Sequence, residues 1–540
     1  MIIIPILSFF GFSCFFSKYF KVKLNHAIPI TISILVTILY CCAILNLLMA
    51  ATYLLYFIGI LLAFINRHRF SYESLIFTLL IFLFFLYTRE ASLHAYDDFS
   101  HWGIFTTELL YSGVFENQTS LTSIISTHAH YPRGAAVYHY FMLMLSGYSD
   151  GNVLFAHFLL HLMFLAPLAS NKKIWQTGLL FSAILCAVVL YTTGLHSIYN
   201  DSTIGLIFGS ILVIYILEED KKKALKLIIP IAILLPLFRE IGAWLASFAS
   251  IILILHYTFF DKKPKTSHDY ITYVILLILP ILCNFILMDY FRNTHDFLDK
   301  KEHSFSNLIY IVENFNEQHK LLLLNYGKFL LKFLVKEGSL VVYTICFIAW
   351  YGIRKYKPKL LAEYKFCLIA TFICGIIFAL WRLYLYFFTF SYEEAIKGAS
   401  LLRYLGCYVL AIGMIAAAYI TSSIFLNEKQ SRKELFILML LFAVLSFSVV
   451  KNILRIKHLS LEQKNFIDQT INIKKLLEQG NEVTFNFSNK KDNLQCYILN
   501  YNLAPYLNKK HLQECLKTPK KAIIDMEEIN IYICLFYLTT

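Results

Sequence analysis

The chain is a succession of long apolar segments separated by short polar ones. A helix that crosses the hydrocarbon core of a membrane needs roughly 17 to 25 mostly apolar residues, because all its backbone polar groups must be satisfied within the segment. This pattern predicts an all-α polytopic membrane protein with about 12–14 transmembrane helices. The candidate spans are 2–17, 27–46, 48–65, 71–88, 152–170, 174–193, 203–217, 224–237, 241–259, 270–290, 338–353, 365–386, 403–426 and 435–452.

Composition indicates the same class. Hydrophobic residues make up 58% of the 540 residues, charged residues only 15%, and the mean hydropathy is +0.61. Soluble domains carry about 25% charged residues. We therefore expect a multi-pass protein of the plasma (inner) membrane, with membrane lipids around it.

Lysine and arginine cluster in alternate loops, as their excess in short cytoplasmic loops requires. This bias explains most of the net charge of +13. Since the basic residues form no single face, no nucleic-acid partner is expected. The other loops, and both termini, then face outward. The outward loops are those at about 89–151, around Asp201, at Arg239–Glu240, at about 291–337 and at 387–402.

Two stretches in the outward loops are helical in pattern but unsuited to spanning. The stretch 135–147 is too short and too polar, and the stretch at about 321–336 is amphipathic. Such helices lie in the membrane interface. We therefore expect outer-face juxtamembrane helices beside the spans.

The last part of the chain differs from the rest in composition, which predicts a transmembrane domain at 1–452 and a small extracytoplasmic domain at 453–540. A helix near 460–479, followed by strand-like runs at 483–487 and 496–499, indicates a small α/β unit.

Three of the twelve cysteines, Cys496, Cys515 and Cys534, lie in this tail. An oxidising outer compartment would permit one disulfide among them and leave one thiol. The others lie in or beside apolar spans, where cysteine behaves as a small hydrophobic residue.

Acids and bases concentrate at the outward ends of the spans. Asp97 and Asp98 come soon after the span 71–88, and Lys397 and Arg403 stand where the span 403–426 begins. Ionised groups close to hydrocarbon are costly and are often functional, and a cation at this position can hold a phosphate. The alternative is a solvated loop edge with a snorkelling arginine.

Taken in order along the chain, these residues resemble the GT-C superfamily of integral-membrane glycosyltransferases. The likeness rests on the acidic pair in 96–103, the Tyr-Pro-x-Gly turn at 131–134, Asp201, and the segment 391–404. It points to bacterial members related to the dolichyl-phosphate-mannose protein mannosyltransferases and the lipid A aminoarabinose transferases.

The resemblance implies a glycosyltransferase of the hexosyltransferase type. It would move a sugar from a polyprenyl-phosphate donor to a hydroxyl of a glycan, lipid or protein acceptor in the cell envelope, on the outer face of the membrane and with inversion. Nucleotide sugars are absent there, so the sugar must arrive on a lipid, and cations must stabilise its phosphate leaving group.

Residue by residue, the resemblance implies that Asp97 is the general base and that Asp98 orients the acceptor or shares a metal, with the two roles exchangeable. Some members use a divalent metal ion and others do not, so the metal stays open. The other implied residues are Asp201, His101 and Glu393 on the acceptor side, and Arg403, Lys397 and, as a secondary candidate, Arg239 at the donor phosphate.

Two other functions were weighed. An O-antigen polymerase or ligase would place its chemistry in the loop 291–337, on Arg292, His295 and Lys300. A lipid or solute transporter or flippase would bury ionisable residues at mid-membrane or show paired halves. The spans have almost no charged residue at their centres and no such pairing.

Overall fold

The apolar segments of the chain form helices in the computed structural model, which confirms the all-α polytopic prediction. Among the described residues, eight helices are long and apolar enough to cross a membrane, or nine if one bent pair counts as a single span. Shorter apolar helices add to these. The structure describes residues 2–67, 81–93, 95–115, 131–169, 174–191, 195–261, 264–294, 315–388, 390–425, 432–455, 461–478 and 493–503.

The helices are numbered here in chain order. They are α1 Ile3–Tyr19, α2 Leu24–Ile44, α3 Leu48–Ile65, α4 Gly103–Ser112, α5 Gly134–Leu143, α6 Asp150–Leu165, α7 Ile174–Tyr191, α8 Asn200–Leu217, α9 Lys221–Leu227, α10 Ile229–Phe238, α11 Gly242–Phe260, α12 Ser267–Thr294, α13 Glu317–Leu334, α14 Glu337–Tyr356, α15 Leu361–Phe388, α16 Tyr392–Ile396, α17 Leu401–Ile420, α18 Arg432–Leu454, α19 Leu461–Glu478 and α20 Asn493–Leu503. A π-helical turn at Asp98–Trp102 leads into α4. The bent pair is α13 and α14.

Two elements differ from their prediction. Residues 496–499 were predicted as a strand, but they lie in α20, so that prediction is wrong. The stretch 135–147 contains α5, whose ten residues are all buried. Its contacts are with α4, α6, α2 and α10, so protein covers it and it does not present the exposed apolar face expected of a helix lying on lipid.

Some predictions fall outside the described residues. These are the first part of the span 71–88, the strand at 483–487, and His295, Lys300, Cys515 and Cys534. The helices at 321–336 and 460–479 are present, as α13 and α19.

The central contact of the bundle joins α8 to α17, which pack closely along their length. At Gly205 a Cβ atom would stand 2.9 Å from Cα of Cys407, so only glycine allows this approach. Where both helices begin, the Cys407 thiol donates to the backbone oxygen of Asp201 at 3.1 Å. The close contact therefore brings the start of α8 beside the first turn of α17.

Alternate loops meet at the same end of the bundle. At one end, Lys223 Nζ donates to the backbone oxygen of Lys21 at 2.8 Å, and Lys222 pairs with Asp269 at 2.9 Å. Lys21, Lys222 and Lys223 belong to basic clusters that the charge pattern predicts to be cytoplasmic, and Asp269 follows another such cluster. At the other end lie the beginnings of α8 and α17 and the turn after α10, which hold the candidate site.

Candidate functional site

Arg403 connects two of the predicted acids. Its Nη1 donates to Asp97 Oδ2 at 2.9 Å, and its Nε lies 3.6 Å from Asp201 Oδ2. The side chains of Arg403 and Asp97 retain 22% and 20% of their exposure, whereas that of Asp201 is fully buried. Residues that are 306 positions apart in the chain thus form one ionic group.

Arg239 completes this group from the turn after α10. Its Nη1 lies 3.5 Å from Asp201 Oδ1, and its Nη2 donates to the Tyr404 hydroxyl. The guanidinium carbon lies 5.2 Å from the Trp102 ring centre, 4.9 Å from that of Tyr131 and 5.2 Å from that of Tyr404. Such contacts hold a cation through the ring quadrupole. We call Asp97, Asp201, Arg239 and Arg403 the acid–arginine cluster.

The chain enters α17 through an unusual conformation that fixes Arg403. Ser400 has φ of +62°, in the left-handed region that non-glycine residues rarely adopt. Its hydroxyl accepts a hydrogen bond from Arg403 Nη2 at 2.6 Å. Strained backbone of this kind persists where the surroundings hold it, and it concentrates at functional sites.

Asp97 is the member of the acidic pair that a substrate can reach. Its Oδ2 is occupied by Arg403, and Oδ1 makes no hydrogen bond to any described residue. The backbone N–H of Asp97 donates to the Tyr199 hydroxyl at 2.9 Å, and the ring of Tyr199 lies 4.6 Å from the guanidinium carbon of Arg403. One carboxylate oxygen is therefore positioned while the other remains available.

Asp98 has different surroundings. It is fully buried, and its Oδ1 accepts from the Ser197 hydroxyl at 2.8 Å and from the Ile198 N–H at 3.0 Å. Its Oδ2 accepts from the Ala95 N–H at 3.2 Å. Burial raises the pKa of Asp98 to about 8, although these hydrogen bonds oppose the shift. Asp98 therefore ties its turn to the segment before α8, whereas Asp97 is the partly exposed carboxylate of the pair.

The raised pKa of Asp98 should make the stability of the folded protein depend on pH. Between the ordinary value of 3.8 and about 8, the folded chain holds a proton on Asp98 that the unfolded chain releases. The stabilisation is full below about 4 and is lost as the pH rises to about 8, by at most about 1.4 kcal/mol per pH unit. Thermal unfolding in detergent should show the stability of the wild type, relative to Asp98→Asn, falling from pH 5 to pH 8 and level above that. A difference that is constant with pH would contradict this assignment.

The other sequence-predicted residues lie around the cluster. His101 is buried, and its Nδ1 is 2.7 Å from the Ser100 hydroxyl. Its ring packs on those of Trp102 and Tyr131, the same two rings that contact Arg239. Glu393 and Lys397, in α16 and just after it, are exposed. No ion pair joins Glu393 or Lys397 to another described residue.

One residue near the cluster was not predicted from the sequence. Arg382, near the end of α15 that lies beside the cluster, is only 7% exposed, and its guanidinium carbon lies 4.4 Å from the Tyr404 ring and 4.3 Å from the Phe390 ring. Its hydrogen-bond partners among the described residues are the Tyr386 side chain and, at a long 3.5 Å from Nη2, the Ala399 oxygen, and its buried Nε has no partner among them. No carboxylate in the described part of the chain pairs with it. It occupies an apolar span, where an arginine is usually interpreted as snorkelling.

Among the described residues, no three His, Cys, Asp or Glu side chains come together as a set of metal ligands. The polar atoms around Asp97 and Asp201 come instead from arginine and tyrosine.

Comparison with known proteins gives one weak structural similarity. No protein-family model matches the sequence, and no curated protein matches it either. The crystal structure of ArnT from Cupriavidus metallidurans bound to undecaprenyl phosphate aligns with 82% of this chain and 76% of its own, at 12% identity and a TM-score of 0.37. A similarity this weak assigns neither a family nor a residue role to the chain.

Proposed function

We propose that this protein is a glycosyltransferase that moves a sugar from a polyprenyl-phosphate carrier to an acceptor hydroxyl at the outer face of the membrane. The observation that carries the proposal is the acid–arginine cluster, in which a partly exposed carboxylate, Asp97, lies beside the partly exposed Arg403 and near the buried Arg239 at one end of a helical bundle. The donor class comes from the resemblance of the motifs in 96–103, 131–134 and 391–404 to the GT-C superfamily.

The cluster supplies the general base that such a transfer needs. Asp97 Oδ1 accepts the proton of the acceptor hydroxyl as the oxygen attacks the anomeric carbon. The bond between that carbon and the phosphate oxygen breaks, and the electron pair leaves with the carrier phosphate. Since attack and departure occur in one displacement on opposite faces, the anomeric centre is inverted.

Arg382 is the cation best suited to the leaving phosphate. Arg239 and Arg403 already face the carboxylates Asp97 and Asp201, whereas Arg382 faces none among the described residues. A buried guanidinium without an anion is costly, and a phosphate would offset that cost with charge-assisted hydrogen bonds. Arg382 and Arg239 both pack on the ring of Tyr404, which places Arg382 beside the acid–arginine cluster. We therefore add Arg382 to the predicted set of Arg403, Lys397 and Arg239.

The proposed outward orientation rests on the pattern of basic loops. The basic residues Lys21, Lys222 and Lys223 of two such loops meet at the end of the bundle away from the cluster. Their meeting there agrees with a cluster on the extracytoplasmic face.

The direct test is transfer by the purified protein in liposomes. A radiolabelled sugar on polyprenyl phosphate is supplied with envelope glycans and lipids from a deletion strain, and mass spectrometry of that strain's envelope shows which sugar is missing. We expect label to move to one acceptor class and free polyprenyl phosphate to be released. If neither a missing sugar nor transfer is found, the proposed function is wrong.

The same assay separates this function from that of an O-antigen polymerase or ligase. Under the transferase proposal, Arg292→Ala keeps full activity, because the chemistry depends on the acid–arginine cluster. Under the polymerase proposal that substitution is disabling, since the catalytic residues would then lie in the loop 291–337.

A further inference from the structure

The tail helix α20 packs directly on the residues that flank the acidic pair. The ring of Tyr497 meets that of Tyr96 edge-on, with centroids 5.2 Å apart. Tyr501, one helical turn later, meets Phe99 in the same way at 5.3 Å. Residues four apart lie on the same helix face, so a single face of α20 touches the chain on both sides of Asp97 and Asp98.

Tyr501 also anchors this face through a buried polar contact. Its hydroxyl donates to Asp150 Oδ1 at 2.6 Å, and it contacts the Tyr148 hydroxyl as well. The other oxygen of Asp150 accepts from the Leu93 N–H at 2.9 Å. Burial raises the pKa of Tyr501 well above its usual value, so the hydroxyl stays protonated and can donate. The tail is thereby linked to the start of α6 and to the segment that leads to Asp97.

Glycine at position 103 permits this contact. A Cβ atom there would lie 2.7 Å from Tyr501 Cε2 and 2.6 Å from the backbone oxygen of Asp98. The side chain of Tyr501 thus fills the space over the π-helical turn, and it is itself only 4% exposed.

The turn that carries Asp97 is held from two sides. On its inner side, Asp98 bonds to Ser197 and Ile198, and the Asp97 N–H bonds to Tyr199. On its outer side lie Tyr497 and Tyr501 of α20. The inner contacts fix the backbone of the turn against α8, whereas the outer contacts prevent it from lifting away from Arg403.

We propose that α20 is a positioning element of the candidate site: it clamps the turn at 96–99 so that the Asp97 carboxylate stays on Arg403. The expected effect of α20 on the rate of transfer rests on the proposed function, whereas its effect on the mobility of the turn at 96–99 does not. The tail then acts on the site mainly through Asp97. Arg382 contacts rings outside this turn, and of the three rings around Arg239 only that of Trp102 belongs to it. A misplaced base slows the chemical step and leaves donor binding unchanged, and a displacement of about 1 Å can cost about 10²-fold in rate.

The test compares Tyr501→Ala and Tyr501→Phe with the wild type, using Lys475→Ala, an exposed change in α19, as the matched control. Hydrogen–deuterium exchange of the full-length protein in nanodiscs is followed over residues 95–112, and kcat and donor KM are measured separately. We expect Tyr501→Ala to speed exchange in that segment and not in α8 or α17. It should lower kcat by about 10- to 100-fold while donor KM changes less than twofold. Tyr501→Phe keeps the ring packing and should recover part of both losses.

The outcomes separate the clamp from the proposed function. Faster exchange confined to 95–112, with no glycosyl transfer even by the wild type, supports the clamp and contradicts the transferase. Unchanged exchange, or a fall in thermal stability with kcat intact, overturns the clamp. If Tyr501→Ala does not fold, Tyr497→Ala, which removes only the partly buried ring beside Tyr96, is judged by the same criteria.

Discussion

Asp97→Asn is expected to lower glycosyl transfer by about 10²- to 10⁴-fold, the usual contribution of a positioned general base. The amide has nearly the same size and can still accept from Arg403, so the fold and donor binding should be retained. What is lost is the basic oxygen that takes the acceptor proton. The measurement is initial rate in liposomes, with the amount of folded protein determined by size-exclusion chromatography.

The matched control for that change is Asp98→Asn, one residue away. Asp98 is fully buried and both of its oxygens are occupied by Ser197, Ile198 and Ala95, so the loss should appear mainly in stability. If Asp98→Asn abolishes transfer in well-folded protein while Asp97→Asn does not, the two roles are exchanged. Full activity of the double variant would end the proposal that either acid is the base.

Arg382→Gln is expected to raise the KM for the polyprenyl-phosphate donor by about 10- to 100-fold. A hydrogen bond to a charged group contributes about 1.5–3 kcal/mol, and each 1.4 kcal/mol is a factor of ten. Because the guanidinium pairs with no described carboxylate, its removal should leave the melting temperature unchanged or higher. This combination separates a ligand-binding arginine from a structural one. Donor titrations and thermal unfolding of the same preparation measure both effects.

Two comparisons sharpen this prediction. Lys328→Gln removes an exposed cation that has no place in the proposed phosphate site, and a near-normal KM there would show that net charge is not the cause. Arg239→Gln leaves the buried Asp201 with one fewer cation, so it should destabilise the fold as well as weaken binding. A donor KM that does not respond to Arg382→Gln would exclude Arg382 from the phosphate site.

The gathering of Asp97, Asp201, Arg239 and Arg403 at one end of the bundle could be expected from the sequence. A helix that crosses a membrane must end near an interface, and alternate loops of a polytopic chain therefore lie on the same side. Residues that follow or precede spans in alternate loops therefore lie at the same end of the bundle. The topology thus predicts that these four residues lie near one another, but it does not predict which acid pairs with which arginine.

The assignment within the acidic pair required the tertiary structure. Asp97 and Asp98 are adjacent and chemically identical in the sequence, and only the segment 195–199 distinguishes them by occupying the oxygens of Asp98. Arg382 could not be predicted as a site residue for a related reason. The sequence near the end of an apolar span is the same whether the guanidinium of an arginine reaches water or lies among rings such as those of Tyr404 and Phe390. Both cases depend on chain segments that are distant in sequence.

Short segments were the other source of error. The run Cys496–Leu499 is strand-like in its pattern, yet a run of four residues fits either a strand or a helix. In the structure it is helical and packs on the turn at 96–99. The helix α5 was expected in the interface because it carries tyrosine and histidine. Those groups instead find partners inside the bundle: Tyr138 donates to the Ala156 oxygen at 2.9 Å, and His139 lies 3.1 Å from the Thr106 hydroxyl.

The sequence by itself determined the class of protein, the positions of most helices and the collection of the candidate residues at one end of the bundle, because each of these depends on local hydrophobicity and on the alternation of loops. The tertiary structure decided which carboxylate is accessible, which arginine lacks an anion and where the tail helix docks. These depend on contacts between segments up to 306 positions apart, which no local pattern encodes.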